Sequence, residues 1–196
     1  MKSNKTLVIL AVLACSWTVL ATPASAVDAN WRIYLTAIDS DDLSEAFGGG
    51  IRVSFPFKDN YEFDISAAYY EDFKNRFENN TADRISIELS TIPVDFGVTW
   101  TKNGDSGFQF GGGLSYAYLD ISDLNIEGFN TPIQGSANDE FGGYVKLGYQ
   151  GKKGFFGEVW YRYLEASVKQ VAIGGVPAPN TDIALSGYTI NLGYRF

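Results

Sequence analysis

Leu185-Ser-Gly-Tyr-Thr-Ile-Asn-Leu-Gly-Tyr-Arg-Phe196 is the stretch that decides the fold, because large apolar residues alternate in it with small or polar ones. A period of two is typical of a β-strand, whose successive side chains lie on opposite faces. A terminal strand with an exposed aromatic end would fray in water. The same strand is well suited to closing a β-barrel inside a bilayer.

Seven further segments alternate over the length that a strand needs to cross a bilayer. Short connections, such as 101–106 and 151–154, alternate with mostly longer loops, which is typical of an outer-membrane barrel with both chain ends on the short-turn side. The sequence therefore predicts an all-β fold, an eight-stranded antiparallel up-and-down transmembrane β-barrel. Its strands are expected at approximately Ala29–Ile38, Ala46–Phe55, Tyr61–Asp72, Arg84–Trp100, Gly107–Leu119, Glu140–Gln150, Phe155–Leu164 and Leu185–Phe196.

The fourth segment changes phase at residues 90–93. Ile85, Ile87 and Leu89 share one face, whereas Val94 and Phe96 continue it one residue out of step. One inserted residue makes a β-bulge, and a bulge tolerates a proline such as that at position 93. The sequence predicts a bulge there.

The position of the charges sets the orientation of the strand faces. None of about forty outward positions in the strands is charged, as contact with lipid requires. A water-soluble barrel of the lipocalin type would show the reverse pattern. The opposite face carries a predicted barrel-interior charge network of Arg32, Arg52, Glu62, Asp64, Arg84, Glu88, Asp95, Lys146, Glu158, Arg162 and Arg195.

Outward aromatic residues bracket each predicted periplasmic strand end, as expected of a belt at a lipid–water interface. This predicted periplasmic aromatic belt consists of Trp31, Phe55, Tyr61, Trp100, Phe108, Tyr149, Phe155 and Phe196. A second belt at the other interface would consist of Phe47, Tyr69, Tyr118, Phe141, Tyr163 and Tyr188.

The first 26 residues are typical of a secretory signal, with Lys2 and Lys5 before an apolar run and a small-residue cleavage site ending at Ala26. Lipoprotein processing at Cys15 is an alternative, but the apolar run continues beyond it. The domain prediction is a signal peptide at 1–26 and one outer-membrane β-barrel domain at 27–196. Cleavage would remove the only cysteine and two lysines, changing the formal charge from −8 to −10. Such an acidic balance argues against nucleic acid as a partner.

With these features the chain resembles the small outer-membrane barrels of Gram-negative bacteria, the OmpA-transmembrane, OmpX and OmpW-like group. The resemblance implies location in the cell outer membrane and an assembly signal in the last strand, matched here by Tyr188, Tyr194 and Phe196. Asn191 departs from the glycine that many members carry. The implied partners are outer-membrane lipid, lipopolysaccharide, periplasmic chaperones and the barrel-assembly machinery, and the implied state is a monomer.

Two interpretations of the interior charges stay open at this stage. A barrel of eight strands is just wide enough for side chains to fill it, and charges of both signs suit a network of buried ion pairs. A selectivity lining for ions would more often carry one sign of charge. The chain has no histidine, which the enzymes among such barrels use as a base, so we expect no enzyme and no cofactor.

Two loops carry further signals. Residues 39–42 and Glu45 form an acidic cluster, but it lacks the spacing of a calcium loop. The apolar connection at 168–179 indicates either an extension of the seventh and eighth strands beyond the membrane or a contact surface. The first functional hypothesis is a non-enzymatic envelope protein with a closed, salt-bridged interior and a surface-interaction role. The alternative is a narrow, porin-like or OmpW-like conduit for small or hydrophobic solutes.

Overall fold

The structure is a computed structural model that describes residues 29–40, 45–78, 84–126, 136–137, 140–169, 181–184 and 186–196. The predicted signal segment therefore lies outside the described residues, as do Asp41 and Asp42 of the acidic cluster. In the described part of the chain, no helix has the length and apolarity that crossing a membrane would need. The strands are β1 (Asn30–Ser40), β2 (Ala46–Lys58), β3 (Tyr61–Glu78), β4 (Arg84–Thr101), β5 (Gly107–Ile126), β6 (Ser136–Ala137), β7 (Glu140–Gln150), β8 (Phe155–Tyr163), β9 (Glu165–Lys169), β10 (Thr181–Ala184) and β11 (Gly187–Arg195).

Eight of these strands form a closed antiparallel barrel in the order β1-β11-β8-β7-β5-β4-β3-β2. The first and last strands close it, with a continuous register from Arg32 opposite Arg195 to Ser40 opposite Gly187. Closure pairs the backbone groups of both would-be edge strands, which a bilayer requires because it offers no water to bond them. The predicted eight-stranded up-and-down barrel is confirmed.

Burial alternates along the strands in the predicted sense. In β1, Arg32 is 0% exposed, whereas Leu35 is 76% exposed. Large apolar side chains cover the outside of every barrel strand, for example Phe47, Leu114 and Leu192. This inversion of the usual protein interior is the pattern that lipid on the outside demands.

Three neighbouring strands are longer than a bilayer crossing requires. β3, β4 and β5 have 18, 18 and 20 residues, whereas about 9–11 suffice. The predicted ends of the third and fifth segments, Asp72 and Leu119, are therefore wrong, because pairing continues to Glu78 and Ile126. We call the part of these strands beyond the barrel wall, residues 73–78, 84–89 and 121–126, the sheet extension.

The predicted bulge within β4 is also wrong. β4 pairs with β5 without a break from Leu89 to Thr101. The extra residues lie instead in the two neighbouring strands. One is in β3, between Tyr70 and Phe73, and the other is in β5, opposite the step from Glu88 to Leu89 of β4. A bulge increases strand twist, and both lie where the sheet extension leaves the barrel.

The connection between β8 and β11 also contains paired strands. β9 and β10 pair antiparallel, and β6 adds to β9 to give a separate three-stranded sheet. The sequence predicts that this connection either extends the neighbouring strands or forms a contact surface. β9 and β10 extend the strands β8 and β11 in this way, and residues 170–180 lie outside the described part.

Substituting the outer face should destabilise the barrel according to depth. We expect Val145→Arg to lower the free energy of unfolding by about 2–4 kcal/mol, because the charge would lie near the middle of the bilayer. Tyr149→Arg, on the same face near the periplasmic end, should cost about 0–1 kcal/mol. Urea unfolding in lipid vesicles measures both values, and equal losses would contradict a lipid-facing surface.

Candidate functional site

The candidate site is the charged interior, which begins at the periplasmic side with Arg32 of β1. One of its guanidinium nitrogens lies 2.6 Å from a carboxylate oxygen of Glu62, and another lies 3.6 Å from Asp64. The guanidinium also donates to the hydroxyl of Ser54, and the amide of Asn30 donates to Glu62 at 2.7 Å. All four partners come from β1, β2 and β3, so this part of the network joins one side of the barrel.

The centre of the network crosses the lumen. Arg52 of β2 donates two hydrogen bonds, of 2.8 and 2.7 Å, to the two carboxylate oxygens of Glu158 of β8. Lys146 of β7 lies 2.7 Å from Asp64 of β3 and 3.9 Å from Glu158. The hydroxyl of Thr99 also donates to Asp64. Three basic and three acidic groups, including Arg32 and Glu62, thus form one connected and neutral cluster.

A second neutral unit lies next to this cluster. Arg162 of β8 donates to both carboxylate oxygens of Asp95 of β4, at 3.0 and 2.9 Å. Ser115 and Ser66 also donate to Asp95, at 2.7 and 3.2 Å. Because the pairs β2–β8, β3–β7 and β4–β8 are each separated by two other barrel strands, these contacts hold facing walls together.

Aromatic side chains fill the space between the two units. The indole of Trp160 stacks on Tyr144 with ring centroids 4.5 Å apart and an interplanar angle of 10°. Three cations lie within 5.0–5.7 Å of the Trp160 ring, namely Arg52, Lys146 and Arg162. Its indole N–H donates to Glu158 at 2.8 Å. Cation–π contacts in such a desolvated place add to the ion pairs.

Uncharged layers close the lumen on both sides of the charges. On the long-loop side the buried residues are uncharged, the apolar ones being Ile38, Ala46, Leu119 and Leu164, and they lie beside small hydroxyl side chains such as Ser40 and Ser186. On the periplasmic side Gln109 donates to Thr101 at 3.0 Å, and Gln150 donates to the carbonyl of Gly154 at 3.0 Å. Most inward side chains of the described barrel are therefore buried, from one end of the lumen to the other.

The structure brings eight of the predicted interior residues together and leaves three elsewhere. The eight are Arg32, Arg52, Glu62, Asp64, Asp95, Lys146, Glu158 and Arg162, all buried. Arg84 and Glu88 belong to the sheet extension, where only the backbone is described.

Arg195 is a correction to the predicted network. It lies at the periplasmic mouth, where its guanidinium donates to the carbonyl of Asp105 at 3.0 Å and lies 3.6 Å from the carboxylate of that residue. Arg195 is the last residue of β11, and it therefore lies beyond the ion pairs of the lumen.

Sequence reasoning missed the neutral hydroxyl partners Ser54, Ser66, Thr99 and Ser115, which form hydrogen bonds with the buried charges. The sequence could have indicated these four residues, because each occupies an inward position of a strand. Sequence separation hid the pairings themselves, since partners such as Arg52 and Glu158 lie 106 residues apart.

The predicted periplasmic belt lies on the outside of the barrel. Tyr61, Phe108, Tyr149, Phe155 and Phe196 are exposed, and Trp31, Phe55 and Trp100 are partly exposed. In the predicted assembly signal, Tyr188 is exposed and the rings of Tyr194 and Phe196 lie edge to face at 5.1 Å.

The chemistry available in the lumen is limited. No histidine or cysteine occurs in the barrel residues, and within the described ranges no group of three or more His, Cys, Asp or Glu residues could hold a metal ion. Each charged group of the lumen has an opposite partner. The arrangement can hold the walls in place and exclude ions, because unpaired charge would be very costly in this setting.

No protein-family model matches the chain, and no curated protein matches it. Among solved structures, the outer membrane protein OprG from Pseudomonas aeruginosa is similar over 87% of this chain and 96% of its own, with a TM-score of 0.64 and 18% identity. The outer membrane protein AlkL is similar over 90% of this chain and 94% of its own, with a TM-score of 0.52 and 14% identity. At these identities the likeness establishes the fold.

The fold and its lipid-facing surface define a small eight-stranded β-barrel of the outer-membrane type. The resemblance seen in the sequence is thereby confirmed at the level of architecture, and location in an outer membrane is supported.

Breaking one cross-lumen pair should be far more damaging than breaking a pair at the rim. We expect Asp95→Asn to lower the free energy of unfolding by about 3–5 kcal/mol, because it leaves Arg162 buried without a counter-charge. Adding Arg162→Gln should recover much of the loss, and a double-mutant cycle in urea measures the coupling. As a control, Arg195→Gln should cost less than about 1 kcal/mol, because its partner Asp105 is 94% exposed. Additive losses at Asp95 and Arg162 would argue against the pair.

Proposed function

We propose that the protein is a non-enzymatic integral protein of the outer membrane that uses a closed barrel as an anchor for an extracellular contact surface. The observation that carries this proposal is the set of ion pairs across the lumen. Arg52, Lys146 and Glu158 are each at most 2% exposed and bond one another or a partner on a facing wall. An aqueous path through the barrel would have to break several of these contacts at once.

The composition of the network also favours an anchor over an ion pore. A selectivity lining presents charge of one sign to a water-filled path. Here equal numbers of basic and acidic groups bond each other, and apolar residues such as Leu119 and Leu164 lie above them. The absence of histidine from the sequence supports a role without catalysis.

The sheet extension supports a contact role outside the membrane. Its register places three cross-strand rows on one face, and every residue in them except Asn75 is apolar. The opposite face carries charged and polar rows, one of which joins Lys74, Glu88 and Asp123. An amphipathic sheet that continues beyond a barrel is a suitable platform for binding a molecule or a cell surface. The apolar rows are Phe73–Leu89–Ile121, Asn75–Ile87–Leu124 and Phe77–Ile85–Ile126.

Electrical recording tests the closed barrel directly. We expect the purified protein in planar bilayers to give no reproducible conductance steps, with a general porin as positive control, because the lumen is filled by paired charges. Liposome swelling with small sugars should likewise stay at the level of empty liposomes. Regular single-channel steps from the folded protein would refute the anchor proposal.

A specific feature of the wall favours a second candidate function, a conduit for apolar solutes that leave sideways. In the β3–β4 seam, Ala67 pairs with Val94 and Tyr70 pairs with Thr91. Between these two pairs, residues 68–69 of β3 and 92–93 of β4 are not paired with each other. Pro93 lies in this stretch and has no backbone N–H to donate. The β3–β4 seam thus has a local gap in its pairing between Ala67 and Tyr70.

A disulfide across the β3–β4 seam tests this second candidate function. If apolar solutes pass there, a disulfide between Ala67→Cys and Val94→Cys should abolish the uptake of N-phenyl-1-naphthylamine by cells that express the protein, and reduction should restore it. The matched control is Ile33→Cys with Ile51→Cys, which are paired in the β1–β2 seam and should leave uptake unchanged. Equal uptake with both seams locked, or no uptake above a deletion strain, would eliminate the conduit.

A further inference from the structure

The two ends of the barrel differ strongly in charge. The segments on the long-loop side, 39–45, 71–91, 118–142 and 164–186, contain 16 acidic and 4 basic residues. The described residues of the short-turn side reverse this balance, although the chain as a whole is acidic. The basic residues there are Lys58, Lys102, Lys152, Lys153 and Arg195, and the acidic residues are Asp59 and Asp105.

The lysines of the short-turn side are available for contact. Lys58, Lys102, Lys152 and Lys153 are all exposed. Arg195 and Asp105 neutralise each other, with 3.6 Å between the guanidinium and the carboxylate. The remaining charge at this end is therefore clearly positive.

The four lysines form a ring instead of a patch. Lys58 lies at the end of β2, Lys102 in the turn between β4 and β5, and the pair Lys152 and Lys153 in the turn between β7 and β8. In the closed barrel these turns belong to three consecutive hairpins, β2–β3, β4–β5 and β7–β8, and only β11 and β1 complete the circle, so the lysines are spread around most of the circumference. We refer to these four residues as the lysine ring. A ring faces the lipids that surround the barrel, whereas a single protein partner would approach from one side.

The depth of the lysine ring matches lipid headgroups. The turns that carry it are short, so their side chains stay close to the aromatic belt. Aromatic pairs lie at the strand ends beside these turns: Phe57 and Tyr61 with centroids 6.1 Å apart, and Phe108 and Tyr149 with centroids 5.7 Å apart. Aromatic rings mark the interface, and lysine stems extend from apolar surface to place the ammonium group among headgroups.

We propose that the lysine ring binds the anionic phospholipid headgroups of the inner, periplasmic leaflet, and that it selects phosphatidylglycerol-type phosphates over zwitterionic lipids around the barrel. The ammonium groups would contact the phosphates of lipids whose headgroups carry no positive charge of their own. Each lysine near an anionic surface corresponds to about a five-fold preference. This inference concerns the outside of the barrel and does not depend on whether the lumen is closed.

Tryptophan quenching by brominated lipids tests the proposal at the right end of the molecule. Trp31 and Trp100 belong to the outward periplasmic belt, and Trp160 is buried in the lumen. The purified protein is folded into phosphatidylcholine vesicles in which dibrominated phosphatidylglycerol or dibrominated phosphatidylcholine replaces part of the lipid in both leaflets, so that orientation does not matter. We expect an association constant for phosphatidylglycerol about five times that for phosphatidylcholine, decreasing as salt screens the charges.

The matched variants remove four positive charges from one end or the other. The variant K58Q/K102Q/K152Q/K153Q should bring the lipid ratio to about one. The control K74Q/R76Q/R84Q/K169Q removes the four basic residues of the long-loop side and should keep the wild-type ratio. The heat-dependent gel shift of a folded barrel verifies both variants, and the salt titration of the wild-type protein gives a reading that needs no variant.

Three outcomes would overturn the proposal. One is a wild-type ratio of one at low salt, and another is a ratio that survives loss of the lysine ring. The third is lysine-dependent sedimentation with purified peptidoglycan without any lipid preference, which would assign the ring to the cell wall. None of these outcomes changes the conductance of the barrel, so failure here is distinguishable from failure of the anchor proposal.

Discussion

The whole structure depends on the absence of water in the bilayer core. Backbone groups there must bond one another, and a sheet can satisfy this only by closing on itself. Once the outer face is committed to lipid, polar side chains can only point inward. A narrow lumen then forces the charges into contact, which explains why the acidic and basic groups in the described lumen occur in equal numbers and directly bonded.

Packing in the lumen connects this constraint with function. Bidentate pairs such as Arg52 with Glu158 hold facing walls at fixed distances, and Trp160 fills the space beside them. Such a core links facing walls and keeps the charged groups of the lumen buried. Function is then expected at the parts that leave the bilayer, because loops and extensions can change without disturbing the paired interior.

The parts outside the bilayer differ according to the side they face. On the long-loop side β3, β4 and β5 continue as the sheet extension, and the sequence of the segments on that side is strongly acidic. On the short-turn side the connections are brief and carry exposed lysines above aromatic rings. One barrel thus has two chemically distinct ends, for which we propose a partner outside the cell and lipid within the envelope.

The sequence by itself determined the eight barrel strands, the closed barrel, the outward face and eight of the eleven predicted inward charges, because a period of two and the exclusion of charge from lipid are local rules. It could not determine that Arg162 pairs with Asp95, 67 residues away, that the bulges lie in β3 and β5 beside an unbroken β4, or that Arg195 lies at the mouth. Those features depend on strand register and on which walls face each other across the lumen. Both are set only when the sheet closes and every strand is aligned with two neighbours.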